Sequence, residues 1–289
     1  MPPLFRALRP HQWVKNLFVG APLLFSKNLF DATLAGRAAA AVALFCLVSS
    51  SVYLLNDVLD LDADRAHPKK RGRAIASGAL SVADARLAAA LFIVGALSAG
   101  AALGAPFVAT LGGYLVLNLA YSLALKHMPF IDVLCIAGGF LLRVRGGAFA
   151  IDVPASSFLL LCTGLLAAFL GYGKRAHELR AAGARAGEQR RVLGRYRERP
   201  LWIALWALGV ATVAAYAAYT RASHTLAYFG TGVLVYTAPL VALGVARFLW
   251  LVARRPDAES PTAEMLRDRW FVATLALWIV AVSVVIYAR

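Results

Sequence analysis

The chain is poor in charge for its length. Only 16% of its 289 residues are Asp, Glu, Lys or Arg, and 15 of these are acidic against 30 basic. With 61% apolar residues, that shortage excludes a soluble domain of this size, where apolar content near half is usual. Cysteine is scarcer still. Cys46, Cys135 and Cys162 all lie in apolar runs, with no metal spacing and no disulfide framework, and read as small buried residues. The histidines, His67, His127 and His177 among them, have no zinc-like spacing. Basic stripes interleaved with aromatics are absent, so the net charge of +15 does not point to nucleic acid. Loop topology and anionic lipid headgroups account for it instead. No small-residue cleavage pattern follows the basic start, so no cleavable signal peptide is expected.

What is present is a succession of long apolar runs. A short basic, amphipathic start over 1–16, with Arg6, Arg9, Trp13 and Lys15, is expected at the membrane surface. Nine runs of roughly spanning length follow, at 15–31, 35–55, 83–103, 106–124, 132–151, 155–173, 200–219, 226–250 and 270–288. The first is the weakest, broken by Lys15, Asn16, Lys27 and Asn28. The fold class is therefore an all-α integral membrane protein, a nine-helix bundle in a single domain over 1–289. Loops 56–82, 125–131, 174–199 and 251–269 hold most of the Lys and Arg, while the alternate loops are short and nearly uncharged. The positive-inside rule puts the charged loops and the N-terminus in the cytoplasm of a multi-pass inner or plasma membrane protein. No internal repeat is evident, and the sequence leaves room for a homo-oligomer.

One stretch organises the rest: Asn56-Asp57-Val58-Leu59-Asp60-Leu61-Asp62-Ala63-Asp64, between a spanning run and the basic cluster Lys69-Lys70-Arg71-Gly72-Arg73. Acid at a membrane-embedded helix end is expensive unless it is put to use. On a continuous helix Asn56, Asp60 and Asp64 recur every four residues, and Asp57 joins Asp60 and Asp64 at offsets of zero, three and seven. Asp62 points elsewhere. Such a stripe of oxygens suits Mg²⁺, which takes carboxylates together with substrate phosphates. The neighbouring Lys70, Arg71 and Arg73 suit the remaining phosphate charge. The alternative is a solvated loop with Asp caps.

Two further loops carry chemistry. Tyr121 to Asp132 is compact and offers Tyr121, Lys126 and Asp132 at the ends of two spans; a topological Lys and an Asp N-cap are the plainer reading. Gly173-Lys174-Arg175-Ala176-His177-Glu178 leads into an Arg- and Ala-rich stretch with helix-forming composition, expected to make a cytoplasmic helix. Arg143 and Arg145 lie midway along the fifth run, where charge normally faces a polar cavity. Arg143 shares the face of Asp132 about three turns on; a structural pairing within the bundle is its alternative. For Lys15 and Asn16 the alternative to substrate contact is interfacial anchoring.

At these residues the sequence resembles the UbiA superfamily of intramembrane prenyltransferases. Asn56-Asp57-x-x-Asp60-x-x-x-Asp64 fits its first Asp-rich motif. The second motif departs from the pattern of members acting on aromatic acceptors, since only Asp132 remains, preceded by Tyr121 and Leu125-Lys126. That departure resembles the decaprenyl-phosphate phosphoribosyltransferase branch. So do Arg9-Pro10-His11-Gln12-Trp13-Val14-Lys15-Asn16, the segment His67-Pro68 to Arg73, and Gly173-Lys174-Arg175 with Glu178. Ala74 stands where that branch usually has Pro.

The resemblance implies a reaction in which phosphoribosyl diphosphate (PRPP) and a polyprenyl phosphate give a lipid-linked phosphoribose and diphosphate, in the synthesis of a cell-envelope arabinose donor. Mg²⁺ on Asn56, Asp57, Asp60 and Asp64 would neutralise the leaving diphosphate, with Arg73 and Lys126 assisting. Asp132 would stabilise the ribosyl centre or hold a second metal. Lys15 and Arg143 would cradle the lipid phosphate, with Asn16 beside them, and Lys174, Arg175 and Glu178 would take the sugar phosphate and hydroxyls. The acidic pair and Thr-Gly-x-Thr loop of soluble phosphoribosyltransferases are absent. The rivals are prenyl transfer to an aromatic acceptor, which needs the same diphosphate chemistry, and a transporter. The transporter is disfavoured because the acids sit at helix ends and no broken-helix pair is evident.

Overall fold

The computed structural model describes residues 2–68, 70–182, 193–254 and 261–288. Among these, eight helices are long and apolar enough to cross a membrane. They are α1 (Ala32–Leu59), α2 (Val82–Gly100, with a 3₁₀ turn Ala101–Leu103), α3 (Ala105–Leu123), α4 (Ile131–Ala150), α5 (Ser157–Ala182), α6 (Glu198–Arg221), α7 (Ala238–Arg254, whose span includes the preceding 3₁₀ turn Val233–Thr237) and α8 (Arg269–Tyr287). The chain is a multi-span, all-helical membrane protein. Its helix starts carry the expected chemistry. Asp31, Ser81 and Asp268 accept the backbone N–H groups of Leu34, Asp84 and Phe271, satisfying donors that have no partner within the helix.

Two apolar runs fold differently from the expectation. The run over 15–31 is not one helix. It forms a 3₁₀ segment, Pro10–Gly20, and a short helix, Ala21–Phe25. Pro22 lacks the N–H that a continuous helix needs, and Lys27 ends the segment in the left-handed region at φ 60°. The run over 226–250 is likewise divided. A helix Ser223–Phe229 stops at Gly230, whose φ of 68° suits glycine, and a 3₁₀ turn Val233–Thr237 leads into α7. The expected helix beyond Glu178 is a continuation of α5 as far as Ala182; its remainder, 183–192, lies outside the described residues.

The chain forms two compact units. The first comprises Met1–Leu123 and Gly139–Ala155. Its core gathers Val19, Phe45, Val48, Phe107, Leu111 and Tyr114. Gly147 of α4 lets the 3₁₀ segment approach so closely that a Cβ there would overlap the Val19 carbonyl, and a Cβ on Gly146 would strike the Phe45 ring. Arg37 donates to the carbonyls of Ala150 (2.6 Å) and Leu103 (3.4 Å), capping two helix ends with a cation. A smaller cluster of Ala7, Leu54, Ala74, Ile75, Ala85 and Ala89 lies beside the Asp-rich end of α1. Ala74 is buried, and its carbonyl accepts from Leu80 N–H at 2.9 Å, so the loop is pinned without the usual proline.

The second unit comprises Ala124–Gly138 and Ser156–Arg289. Its core is built on Phe169, Ala176, Tyr196, Leu205, Phe248 and Val252. Gly173 removes the side chain that would collide with Phe248. Arg247 pairs with Asp268 through two bonds of 2.7 and 3.0 Å, joining α7 to the start of α8.

The close approach at Gly147 is testable. Gly147→Ala is expected to destabilise the protein by about 1–3 kcal/mol, the usual range for overpacking. Gly95→Ala, in α2 with open space around it, should be neutral or slightly stabilising. Thermal unfolding of both variants in detergent compares them directly. Equal midpoints would contradict this packing.

Candidate functional site

The Asp-rich motif does not form one continuous helix. α1 ends at Leu59, Asp60 takes a turn conformation at φ −94° and ψ 12°, and a second helix runs from Leu61 to Ala66. The break is slight. Asp60 N–H still bonds the Asn56 carbonyl at 2.9 Å, and Asp64 N–H the Asp60 carbonyl at 2.8 Å. The stripe therefore persists, and Asp57 and Asp64 arrive on one side, both buried. Between them lies Arg73, whose Nη1 donates to Asp57 Oδ1 at 3.1 Å and to Asp64 Oδ2 at 2.6 Å. Arg9, which precedes the 3₁₀ segment, also donates to Asp57 Oδ1. Its guanidinium lies 4.9 Å over the Tyr53 ring. Asp60 is half-buried, and Lys70 and Arg71 are exposed. His67 stabilises their turn, its Nδ1 accepting from Lys70 N–H at 3.4 Å.

The expected metal can be tested against these residues. Among the described residues, no three His, Cys, Asp or Glu side chains group closely enough to hold an ion. Two buried carboxylates nevertheless meet at Arg73. Beside them Asn56 Oδ1 is buried and, among the described residues, accepts no hydrogen bond. An unsatisfied buried amide oxygen is costly unless something occupies it. A hard cation that takes one or two carboxylates and completes its shell with substrate phosphates fits this donor set.

Arg143 is the centre of a second constellation in the first unit. Its Nε donates to Asn16 Oδ1 (2.7 Å), Nη1 to the Gly139 carbonyl (3.1 Å) and Nη2 to Tyr114 Oη (2.8 Å). The guanidinium also lies over the Tyr114 and Phe140 rings. Asn16 is fully buried and donates to Ser49 Oγ and Cys46 Sγ. Interfacial anchoring is thus excluded for Asn16, which instead ties the 3₁₀ segment to α1 and α4. Lys15, half-buried, donates to Gln12 Oε1 at 2.6 Å. Arg145 is exposed, over the Phe149 ring. Tyr121 is half-buried in the last turn of α3.

In the second unit Asp132 is wholly buried in the first turn of α4 and is not an N-cap. Arg175 Nε donates to its Oδ2 at 2.6 Å, and Tyr196 Oη to its Oδ1 at 2.7 Å. Arg175, also wholly buried, donates to Glu178 as well, and Lys174 approaches Glu178 at 3.9 Å. Tyr196 accepts the Phe130 N–H at 2.7 Å, holding that residue in the left-handed region at φ 67°. Burial, with the hydrogen bond to Asp132, pushes the Tyr196 phenol up, so it remains a donor at neutral pH. Lys126 is half-buried in the 3₁₀ turn Leu125–His127. Of the cysteines only Cys46 is buried; Cys135 and Cys162 are partly exposed.

Arg9 and Tyr196 complete these clusters but were not among the candidate site residues read from sequence. Arg9 carried one signal, its place before Pro10 in the N-terminal signature. Tyr196 carried none, because its partners are 64 and 66 residues away.

The buried pair yields a thermodynamic cycle. Arg175→Met alone strands the Asp132 carboxylate and should destabilise by about 3–5 kcal/mol. Adding Asp132→Asn should recover part of that loss, because no charge is then stranded. Simple additivity of the two changes in unfolding midpoint would show that they are not coupled.

Comparison with known proteins bears on what such an arrangement serves. The UbiA prenyltransferase family matches residues 17–272. A decaprenyl-phosphate phosphoribosyltransferase of Mycolicibacterium smegmatis is 33% identical over 98% of this chain and 92% of its own. One from Mycobacterium tuberculosis is 31% identical over 96% and 92%. Among solved structures, a UbiA homolog from Archaeoglobus fulgidus bound to DMAPP and Mg²⁺ superposes with a TM-score of 0.73 over 99% of both chains, at 20% identity. With the match extending over most of its length, the chain belongs to the UbiA prenyltransferase family.

Proposed function

We propose that the chain transfers the 5-phosphoribosyl group of PRPP to a polyprenyl phosphate of the decaprenyl type, releasing diphosphate. The observation that carries this reading is the pair of buried carboxylates, Asp57 and Asp64, bridged by Arg73 beside an Asn56 oxygen that has no partner among the described residues. It is a donor set for a cation that arrives with phosphates. The relatives named for this activity match nearly the whole chain.

Mg²⁺, when bound, supplies neutralisation of the charge that builds on the departing diphosphate. Asn56, Asp57 and Asp64 would hold it, with Asp60 at the turn between the two helices. The bond that breaks joins ribose C1 to the diphosphate oxygen; the bond that forms joins C1 to an oxygen of the lipid phosphate. That phosphate is already an anion, so no general base is required, only alignment. Arg73, with Lys70 and Arg71 in the same loop, supplies cationic donors to the diphosphate. Lys126, Lys174 and Glu178 are suited by chemistry to the sugar phosphate and hydroxyls, while the sealed Asp132–Arg175 pair fixes the helix ends that carry them. Lys15 and Tyr121 are suited to the lipid phosphate. Arg143, buried and given neutral partners, is a cation of the same kind, with Asn16 orienting it. The Lys- and Arg-rich loops favour a cytoplasmic face for this chemistry.

The test is incorporation of ribose-labelled PRPP into organic-extractable lipid, by membranes bearing the protein with decaprenyl phosphate and Mg²⁺. Label should appear, disappear with EDTA, and fall at least about 100-fold in Asp57→Asn, a loss of about 2.7 kcal/mol of transition-state stabilisation. Absence of label, together with transfer from a prenyl diphosphate to an aromatic acid, would reassign the protein to the aromatic-acceptor reaction.

A further inference from the structure

Asp57 is almost fully buried, and one of its oxygens, Oδ1, receives both Arg9 and Arg73. The two arginines differ from their partner in a telling way. Their side chains are 23% and 30% exposed, against 4% for Asp57. The carboxylate is fixed in the protein, whereas each guanidinium keeps a path to solvent. A metal that draws on Asp57 Oδ1 and Asp64 Oδ2 competes with cations already bonded to those oxygens. A diphosphate, in turn, presents pairs of oxygens that a guanidinium fork can bond bidentately.

In both arrangements the arginines keep an anionic partner. Two arginines offset two carboxylates in the structure. With a metal on the carboxylates, the same two arginines are released to offset phosphate. Arg9 is positioned for this by its backbone. It sits in the left-handed region, at φ 54° and ψ 60°, where non-glycine residues are uncommon, and Pro10 after it disfavours an ordinary helical conformation. Tyr53, 4.9 Å beneath the guanidinium, offers a face on which it can pivot.

We propose that Arg9 is a further substrate-binding residue, and that Arg9 and Arg73 exchange partners on binding, from the carboxylates of Asp57 and Asp64 to a diphosphate that arrives with its metal. Metal and diphosphate then bind synergistically, and neither binds well alone. The proposal rests on the metal–diphosphate reading of this site and not on which acceptor takes the transferred group.

The experiment uses the full chain in phosphatidylcholine nanodiscs, with Mn²⁺ as a paramagnetic stand-in and labelled inorganic diphosphate as the second probe. Bound Mn²⁺ is read by electron paramagnetic resonance, and diphosphate by its retention on immobilised discs at saturating Mn²⁺. Arg9→Gln should bind Mn²⁺ alone about threefold tighter, since one competing ion pair is gone. It should retain diphosphate about tenfold more weakly, since a charged donor is lost. Arg9→Lys should retain diphosphate at an intermediate level. A purely structural role would weaken both ligands together, so effects of opposite sign are the diagnostic. If wild type binds both probes synergistically and Arg9→Gln weakens or leaves unchanged its Mn²⁺ affinity, the exchange is wrong while the site stands. If wild type binds neither probe, or Asp57→Asn loses neither, the metal–diphosphate reading falls with it.

Discussion

The arrangement of this protein depends on how a few buried charges are compensated. Asp57 sits in the last turn of a membrane helix and Asp64 in the short helix that follows, both buried where bare carboxylates would be strongly disfavoured. Arg9 and Arg73 make their burial tolerable, and both come from segments outside α1. The N-terminal segment and the loop before α2 therefore have to fold against that helix end. The small cluster of Ala7, Leu54, Ala74 and Ile75 supplies the apolar contact that brings them there.

The second unit applies the same principle with a different purpose. Asp132 and Arg175 are both removed from solvent, and Tyr196 and Glu178 use further hydrogen-bonding capacity of the pair. Breaking such a group strands a charge, so it locks α4, α5 and the segment around Tyr196 into one geometry. The contrast with the first unit is exposure. Arg175 is sealed, while Arg9 and Arg73 reach solvent, which makes the first pair exchangeable and the second a fixture.

Arg143 shows a third solution. Among the described residues it pairs with no acid; an amide, a carbonyl and a phenol hold it between aromatic faces. A buried cation compensated only by dipoles leaves positive potential in its surroundings, the property that a phosphate-handling membrane protein can use.

Composition and hydrophobic run length were enough to establish an all-helical membrane protein, since spanning helices must satisfy their own backbone groups within the segment. The Asn56 to Asp64 spacing was enough to bring Asp57 and Asp64 to one side, because helical periodicity survives the small break at Asp60. Neither reached the N-terminal run. Its apolar content is that of a span, yet Pro22 and the bonds of buried Asn16 give a divided segment, and those bonds reach α1 across 30 and 33 residues and α4 across 127. The partners of each charge were equally out of reach. Arg9 joins Asp57 across 48 residues, and Tyr196 joins Asp132 across 64. Periodicity is a local property and is written in the chain. Pairing of buried charges is decided by which distant segments pack together, and only the tertiary structure holds that.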